Sequence, residues 1–135
     1  MRKVGTSVLI VDDHEGFRAW ARVLLEQGGY TVLGEAADGA SAIRAAARLR
    51  PQVVLLDVQL PDTDGFQVAR RLSGQRWSPA VVLISTREAS DYAGRLERSH
   101  VHGFLTKEEL TAEALSRLVS ARDGGDPGTG RRPGA

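Results

Sequence analysis

Three short runs of branched aliphatic residues constrain the fold of this chain most strongly. Residues 8–11, 53–56 and 81–84 contain only Val, Leu and Ile. Apolar runs of this length without polar alternation are typical of strands buried on both faces, which occur in parallel sheets. Weaker strand patterns at 31–35 and 103–106 raise the predicted number to five. The sequence therefore predicts a five-stranded parallel sheet.

Helical patterns fill the intervals between the predicted strands. The first places Phe17, Trp20, Ala21 and Leu24 at a spacing that predicts one buried face. The second predicted helix ends near residue 50. The third is predicted at about 64–73, and the fifth at about 111–122. The fourth helix in chain order, about 91–99, has the weakest pattern because it contains a glycine and few large apolar residues.

Strands that alternate with helices predict a three-layer α/β domain, since each crossover must return over one face of the sheet. We expect the flavodoxin-like (βα)5 fold with strand order 2-1-3-4-5. The folded domain is expected at 1–123. Residues 124–135 are rich in Gly and Pro and lack apolar periodicity, so we expect a disordered tail.

Charge and composition exclude several kinds of function. The 135 residues carry 18 basic and 17 acidic side chains, which argues against direct nucleic-acid binding by this chain. The chain contains no cysteine, so disulfides and thiolate metal sites are excluded. The apolar runs are far shorter than the roughly 20 residues that cross a bilayer. We expect a cytoplasmic protein that does not enter a membrane.

Polar side chains follow four of the five predicted strands at their carboxyl ends. Asp12 and Asp13 follow the first strand, Asp57 the third, Ser85 the fourth and Lys107 the fifth. In an open parallel sheet these ends lie along one edge, and ligands bind where the strand order reverses. The fold therefore predicts that five residues distant in sequence form one site.

The chemistry predicted for this site is phosphoryl transfer assisted by a divalent cation. Neighbouring carboxylates repel each other unless a proton or a cation offsets their charge. Oxygen ligands beside a phosphate site favour Mg²⁺. Asp57 would then act as the nucleophile, while Lys107 and the Ser85 hydroxyl would contact phosphoryl oxygens.

Taken together, the motifs LIVDDH, VVLLDVQLPDTDG, VVLIST and GFLTK resemble the receiver domain of bacterial two-component response regulators over about residues 6–122. The resemblance implies transfer of a phosphoryl group from a histidine kinase's phosphohistidine to Asp57. It also implies direct Mg²⁺ binding by Asp13, Asp57 and the Gln59 backbone carbonyl. Asp12 would act on the ion through water.

The same resemblance implies a conformational switch. Ser85 and Lys107 would bind the phosphoryl group, and Phe104 matches the aromatic residue whose position follows the hydroxyl residue. Glu108 follows the lysine where many relatives have proline. The same replacement occurs in the subfamily whose receiver domains usually precede a helix-turn-helix output domain, and this chain resembles that subfamily.

The resemblance also implies several partners. A sensor histidine kinase or phosphotransfer protein would supply the phosphoryl group. A downstream protein or an output domain outside this chain would receive the signal, and phosphorylation could promote a homodimer. The domain would be a phosphoprotein that catalyses only its own phosphorylation and dephosphorylation, not a conventional enzyme.

Three other functions remain open from the sequence. A phosphatase similar to haloacid dehalogenases would also use an aspartate nucleophile, although Gln59 replaces the second aspartate of such enzymes. A flavin mononucleotide carrier shares the predicted fold, but Asp12 and Asp13 would repel its phosphate. A receiver-like domain that is never phosphorylated could serve protein contacts alone.

Overall fold

The computed structural model describes residues 5–124 and contains five strands and five α-helices within that range. The strands are β1 (Ser7–Val11), β2 (Thr31–Ala36), β3 (Val53–Asp57), β4 (Ala80–Ser85) and β5 (Gly103–Thr106). The helices are α1 (Glu15–Gln27), α2 (Gly39–Leu49), α3 (Gly65–Ser73), α4 (Ala93–Glu97) and α5 (Ala112–Gly124). The predicted tail 124–135 lies outside the described residues, apart from the residue that ends α5.

All five strands are parallel and lie in the order β2-β1-β3-β4-β5. The predicted flavodoxin-like three-layer fold is therefore confirmed. The central strand β3 is buried along its whole length, as expected of a strand with helices on both sides. Its apolar run supplies both cores at once because successive side chains point to opposite faces.

Two apolar cores lie on opposite faces of the sheet. Val8 and Ile10 of β1 point toward α1 and α5, in a core that includes Leu25 and Leu115. Leu9 and Val11 point toward α2 and α3. We call these the α1/α5 face and the α2/α3/α4 face.

The first helix differs from its predicted orientation. Ala21 is fully buried, and Phe17 and Leu24 pack at the edge of the core, but Trp20 is 48% exposed. The prediction that Trp20 points inward is therefore wrong. Its ring instead packs against Phe17, with centroids 5.7 Å apart.

The fourth predicted helix is divided into two short elements. A 3₁₀ helix at Ala89–Tyr92 leads into the five-residue α4. Tyr92 is buried, and Leu96 packs at the edge of the α2/α3/α4 core. A segment with so few buried residues is expected to be weakly held, and that low stability stays a prediction.

Candidate phosphoryl and metal site

The acidic pair lies directly beyond β1, at the entrance to α1. The Asp12 backbone amide continues the sheet by donating to the Ala36 carbonyl at 3.0 Å. The Asp12 side chain is fully buried, whereas that of Asp13 is 38% exposed. His14 lies beside both, with Nδ1 at 3.1 Å from Asp12 Oδ1 and 3.2 Å from Asp13 Oδ1. The pair therefore combines one enclosed carboxylate with one that solvent can reach.

Asp57 ends the central strand and is only 5% exposed. The Gln59 amide donates to Asp57 Oδ1 at 3.2 Å, which orients the carboxylate. The following loop turns back tightly, since the Gly65 amide donates to the Val58 carbonyl at 2.7 Å. A Cβ on Gly65 would lie 2.6 Å from the Asp57 carbonyl oxygen. The close approach explains why glycine begins α3.

Lys107 joins the two buried carboxylates from the end of β5. Its Nζ lies 2.6 Å from Asp12 Oδ2 and 3.5 Å from Asp57 Oδ2. Asp12 Oδ2 accepts no other hydrogen bond within the described part of the chain. The Phe17 ring covers the ammonium group, with Nζ 4.5 Å from the ring centroid. One lysine therefore faces two carboxylates, so the site keeps a surplus of negative charge.

The two buried carboxylates have shifted pKa values in opposite directions. Burial and the neighbouring charge of Asp12 raise the pKa of Asp57 to about 6. Burial also disfavours ionised Asp12, but hydrogen bonds from Lys107 and the His14 amide outweigh it and lower the pKa of that carboxyl. Opposite shifts are expected when two close carboxylates compete for one positive charge.

A divalent cation fits this donor set. One ligand atom from each of Asp12, Asp13, His14 and Asp57 lies within 4.8 Å of the others. A second positive charge would offset the repulsion that raises the Asp57 pKa. Carboxylate oxygens that solvent reaches on one side suit Mg²⁺, which keeps several of its waters.

A cleft of about 180 Å³ opens beside Asp57 and gives a substrate access to the site. Its lining residues are Asp13, His14, Asp57, Gln59, Leu60, Pro61, Thr86 and Lys107. Thr86 was not among the site residues predicted from the sequence. Because successive residues of an extended chain point in opposite directions, the residue after Ser85 was a further candidate from the spacing alone.

Ser85 is not among the residues that line the cleft. The side chain is 2% exposed, and its Oγ lies 2.9 Å from the Tyr92 hydroxyl. It also accepts a hydrogen bond from the Arg87 amide at 3.0 Å. The structure thus brings Asp12, Asp13, Asp57 and Lys107 together, while the Ser85 hydroxyl is engaged behind the cleft.

Comparison with known proteins identifies the family. Residues 8–119 match the family described as "Response regulator receiver domain". The chain belongs to this family. The receiver domain is 34% identical over 117 residues to the regulator BvgA of Bordetella pertussis, and the match covers 87% of this chain and 56% of BvgA. It is 27% identical over 118 residues to the DNA-binding transcriptional activator EvgA of Escherichia coli, covering 87% of this chain and 58% of EvgA.

A solved receiver domain has the same architecture. The signal receiver domain of the response regulator NarL from Mycobacterium tuberculosis superposes with a TM-score of 0.77 and 31% identity, covering 90% of this chain and 99% of that one. The chain spans a little over half the length of its curated relatives BvgA and EvgA.

The general role of receiver domains is a phosphorylation switch in two-component signalling, so the predicted function class is confirmed. Receiver domains generally bind Mg²⁺ through an acidic pocket and interact with histidine kinases. Among residues 5–124, no helix has the length and apolar character that crossing a bilayer requires.

Proposed function

We propose that Asp57 is the phosphoacceptor of this receiver domain. The observation that carries the proposal is its placement: a buried carboxylate at the end of the central strand lines a cleft and faces Lys107 across 3.5 Å. In its ionised form, one carboxylate oxygen would attack phosphorus on a phosphohistidine. The new O–P bond forms as the P–N bond breaks, and the leaving imidazole nitrogen takes its proton from solvent.

Residues around Asp57 have distinct roles in this step. Lys107 is close enough to the carboxylates to neutralise charge on the entering phosphoryl group, as a compact cation does at phosphate sites. Thr86 and the loop that begins at Gln59 line the same cleft and can donate hydrogen bonds to phosphoryl oxygens. Ser85 is proposed to join them once its hydroxyl turns from Tyr92.

The metal ligands are proposed from the same geometry. Asp13 and Asp57 would bind Mg²⁺ directly together with the Gln59 backbone carbonyl, and the buried Asp12 would act through a water molecule. When bound, Mg²⁺ supplies positive charge that favours ionised Asp57 and offsets charge on the phosphoryl group. Asp12 also keeps Lys107 in place through their ion pair.

The partners follow from the same proposal. A sensor histidine kinase or phosphotransfer protein would donate the phosphoryl group. The match covers 56% of the transcriptional regulator BvgA and 58% of EvgA, so an output domain on a longer chain or a separate protein target would receive the signal. We propose that the receiver domain spans residues 1–123 and lies in the cytoplasm. We also propose that it catalyses only its own phosphorylation and dephosphorylation. Phosphorylation is proposed to rearrange Phe104 and to favour a homodimer.

The test is intact-mass measurement after incubation with acetyl phosphate, with and without Mg²⁺. The wild-type chain should gain one phosphoryl group only when Mg²⁺ is present, and Asp57→Asn should gain none. Asp38→Asn is the matched control, because Asp38 is the N-cap residue of α2 and does not line the cleft. An adduct on Asp57→Asn would disprove the assignment of the acceptor.

A second measurement separates this function from an aspartate-based phosphatase. A receiver holds the phosphoryl group and then releases it in its own slow hydrolysis. Continuous release of phosphate from small phosphate esters over many turnovers would contradict the proposal. Gln59 lies two residues after Asp57, where such phosphatases carry a second aspartate, so we expect no turnover of that kind.

A further inference from the structure

Tyr92 links the candidate site to the weak α4 segment. It is the last residue of the 3₁₀ helix and is 9% exposed. Its ring packs against those of Phe66 and Phe104, with both centroids 5.8 Å away. Within residues 5–124, its hydroxyl bonds only to Ser85 Oγ, at 2.9 Å. A single phenol thus contacts both the hydroxyl residue and the aromatic residue of the predicted switch.

The hydrogen bonds at Ser85 explain why this contact matters. Its oxygen already accepts the Arg87 amide, and its remaining bond is the one with Tyr92. Phosphoryl oxygens are acceptors, so Ser85 must donate its own proton to bind one. Because Thr86 rather than Ser85 lines the cleft in this structure, the serine hydroxyl must also change its direction. Whichever of the two hydroxyls donates in the bond with Tyr92, this change of direction breaks it.

We infer that Tyr92 is a positioning residue that holds the Ser85 hydroxyl away from the phosphoryl site in the unphosphorylated domain. This inference rests on the proposed phosphorylation of Asp57. When Ser85 turns toward the phosphoryl group, the buried phenol loses its partner. A buried hydroxyl without a hydrogen bond is unfavourable, so Tyr92 opposes the change until its own segment moves.

The side chains packed around Tyr92 determine which neighbouring residues a shift of Tyr92 would affect. Phe66 packs against the Tyr92 ring, and the Arg95 guanidinium lies over the Phe66 ring at 4.2 Å from its centroid. Arg95 also pairs with Asp64 at 3.0 Å. A shift of Tyr92 therefore affects Phe104, Phe66 and the first residues of α4 together. Tyr92 couples the occupancy of the phosphoryl site to the position of α4.

Tyr92→Phe tests the inference because it removes the hydroxyl and keeps the ring. Beryllofluoride with Mg²⁺ serves as the phosphoryl analogue, and calorimetry gives its dissociation constant. With no bond to Tyr92 to break, Ser85 should engage the analogue more easily, and the variant should bind it about threefold to tenfold more tightly. This range corresponds to about 0.7 to 1.4 kcal/mol at 1.4 kcal/mol per factor of ten.

Tyr30→Phe is the matched control. Tyr30 is 3% exposed, and its hydroxyl lies 2.8 Å from Ser116 Oγ on the opposite face of the sheet. Removing that hydroxyl breaks the same kind of bond far from the cleft, so the affinity for beryllofluoride should not change. In a Ser85→Ala background, Tyr92→Phe should also have no effect, because the hydroxyl that it releases is already absent.

The outcomes distinguish this inference from the proposed function. If wild type and Tyr92→Phe both fail to bind the analogue and to form an acetyl phosphate adduct, the proposed function itself fails. If wild type binds the analogue and Tyr92→Phe binds it equally or more weakly, Tyr92 does not hold Ser85 back and the inference is wrong. A gain that persists in the Ser85→Ala background would also overturn it, because the effect would not pass through Ser85.

Discussion

Two tyrosine–serine pairs lie on opposite faces of one sheet, and their settings differ. Tyr30 and Ser116 are 2.8 Å apart on the α1/α5 face, whereas Tyr92 and Ser85 are 2.9 Å apart on the α2/α3/α4 face. The first pair connects the start of β2 to the 13-residue helix α5. The second connects the end of β4 to a four-residue 3₁₀ helix.

Since the two hydrogen bonds have nearly equal lengths, the elements that support each pair, rather than the bond itself, determine how firmly the pair is held. On the α1/α5 face, Arg18 and Arg22 both pair with Glu35 and attach α1 to β2. On the other face, α4 has five residues, none of them buried, and one ion pair between Arg95 and Asp64. We expect the first face to open only on global unfolding and the α4 segment to open locally.

The largest expected effect comes from removing one leucine side chain from each face. Leu115 is fully buried in α5, so Leu115→Ala should lower the free energy of unfolding by about 2–5 kcal/mol. Leu96 of α4 packs only at the edge of its core, and Leu96→Ala should cost less than about 1 kcal/mol. Urea denaturation measures both values.

Equal losses for the two leucine variants would remove the proposed contrast between the faces. Hydrogen exchange provides the control. Leu96→Ala should accelerate exchange in α4 while leaving α5 amides unchanged, because local opening of α4 does not require α5 to unfold.

The fold could be predicted from the sequence because the strands are defined by local composition. The apolar runs fix the position of β1, β3 and β4, and strand order follows from general rules for α/β crossovers. Asp12, Asp13, Asp57 and Lys107 were also predictable, since the carboxyl ends of parallel strands must share an edge. No side-chain contact had to be known.

What the sequence did not indicate depends on side-chain direction and on neighbours distant in the chain. Trp20 has the spacing of a core residue but is half exposed, because α1 meets the sheet through the smaller Ala21. Thr86 lines the cleft beside Asp57 where Ser85 was expected. The Ser85 contact with Tyr92 joins a strand end to a 3₁₀ helix whose position no local pattern specifies.

Repulsion between the buried carboxylates of the candidate site should lower the stability of the domain when no metal is bound. The second prediction concerns whether this loss affects the whole domain or one face of the sheet. The raised pKa of Asp57, about 6 against an ordinary value of 3.8, means that the folded state binds this proton more tightly than the unfolded state. Stability from this group is therefore full below pH 4 and is lost as pH rises through about 6. Asp57→Asn should raise the free energy of unfolding at pH 7, without metal, by up to about 3 kcal/mol.

The measurement is urea denaturation of wild type and Asp57→Asn between pH 4 and pH 7. The gain should grow with pH, since the buried carboxyl of wild type ionises over this range and the amide that replaces it in the variant does not. Because β3 is the central strand and is buried along its whole length, we expect the gain to appear as global stability. A gain seen only as slower hydrogen exchange in α4 would show that the loss is confined to one face.

The third prediction compares the ion pairs that join α1 to β2 with the ion pair of α4, and the expected losses of stability are smaller. Glu35→Gln weakens contacts with Arg18 and Arg22, at 2.9 and 2.8 Å, and should lower global stability by about 1 kcal/mol. Arg95→Gln removes one pair that is half exposed and should change global stability by less than about 0.5 kcal/mol. Added salt should reduce the difference between wild type and Glu35→Gln. Equal global losses would place α4 in the same cooperative unit as α1.

The smallest effects are expected from replacing one glycine with alanine in α1 and, separately, one glycine with alanine in α4. Gly16 lies in the first turn of α1 with open space around it, and a Cβ on Gly94 of α4 would meet the guanidinium end of the Arg98 side chain, with Nη1 at 3.3 Å. Replacing either glycine with alanine should favour the helix by about 0.5–1 kcal/mol. Gly16→Ala should raise global stability by up to this amount, because α1 forms only with the whole fold. Gly94→Ala should instead slow hydrogen exchange in α4 about twofold to fivefold with little change in the urea midpoint, since the stability gained there belongs to a segment that opens by itself.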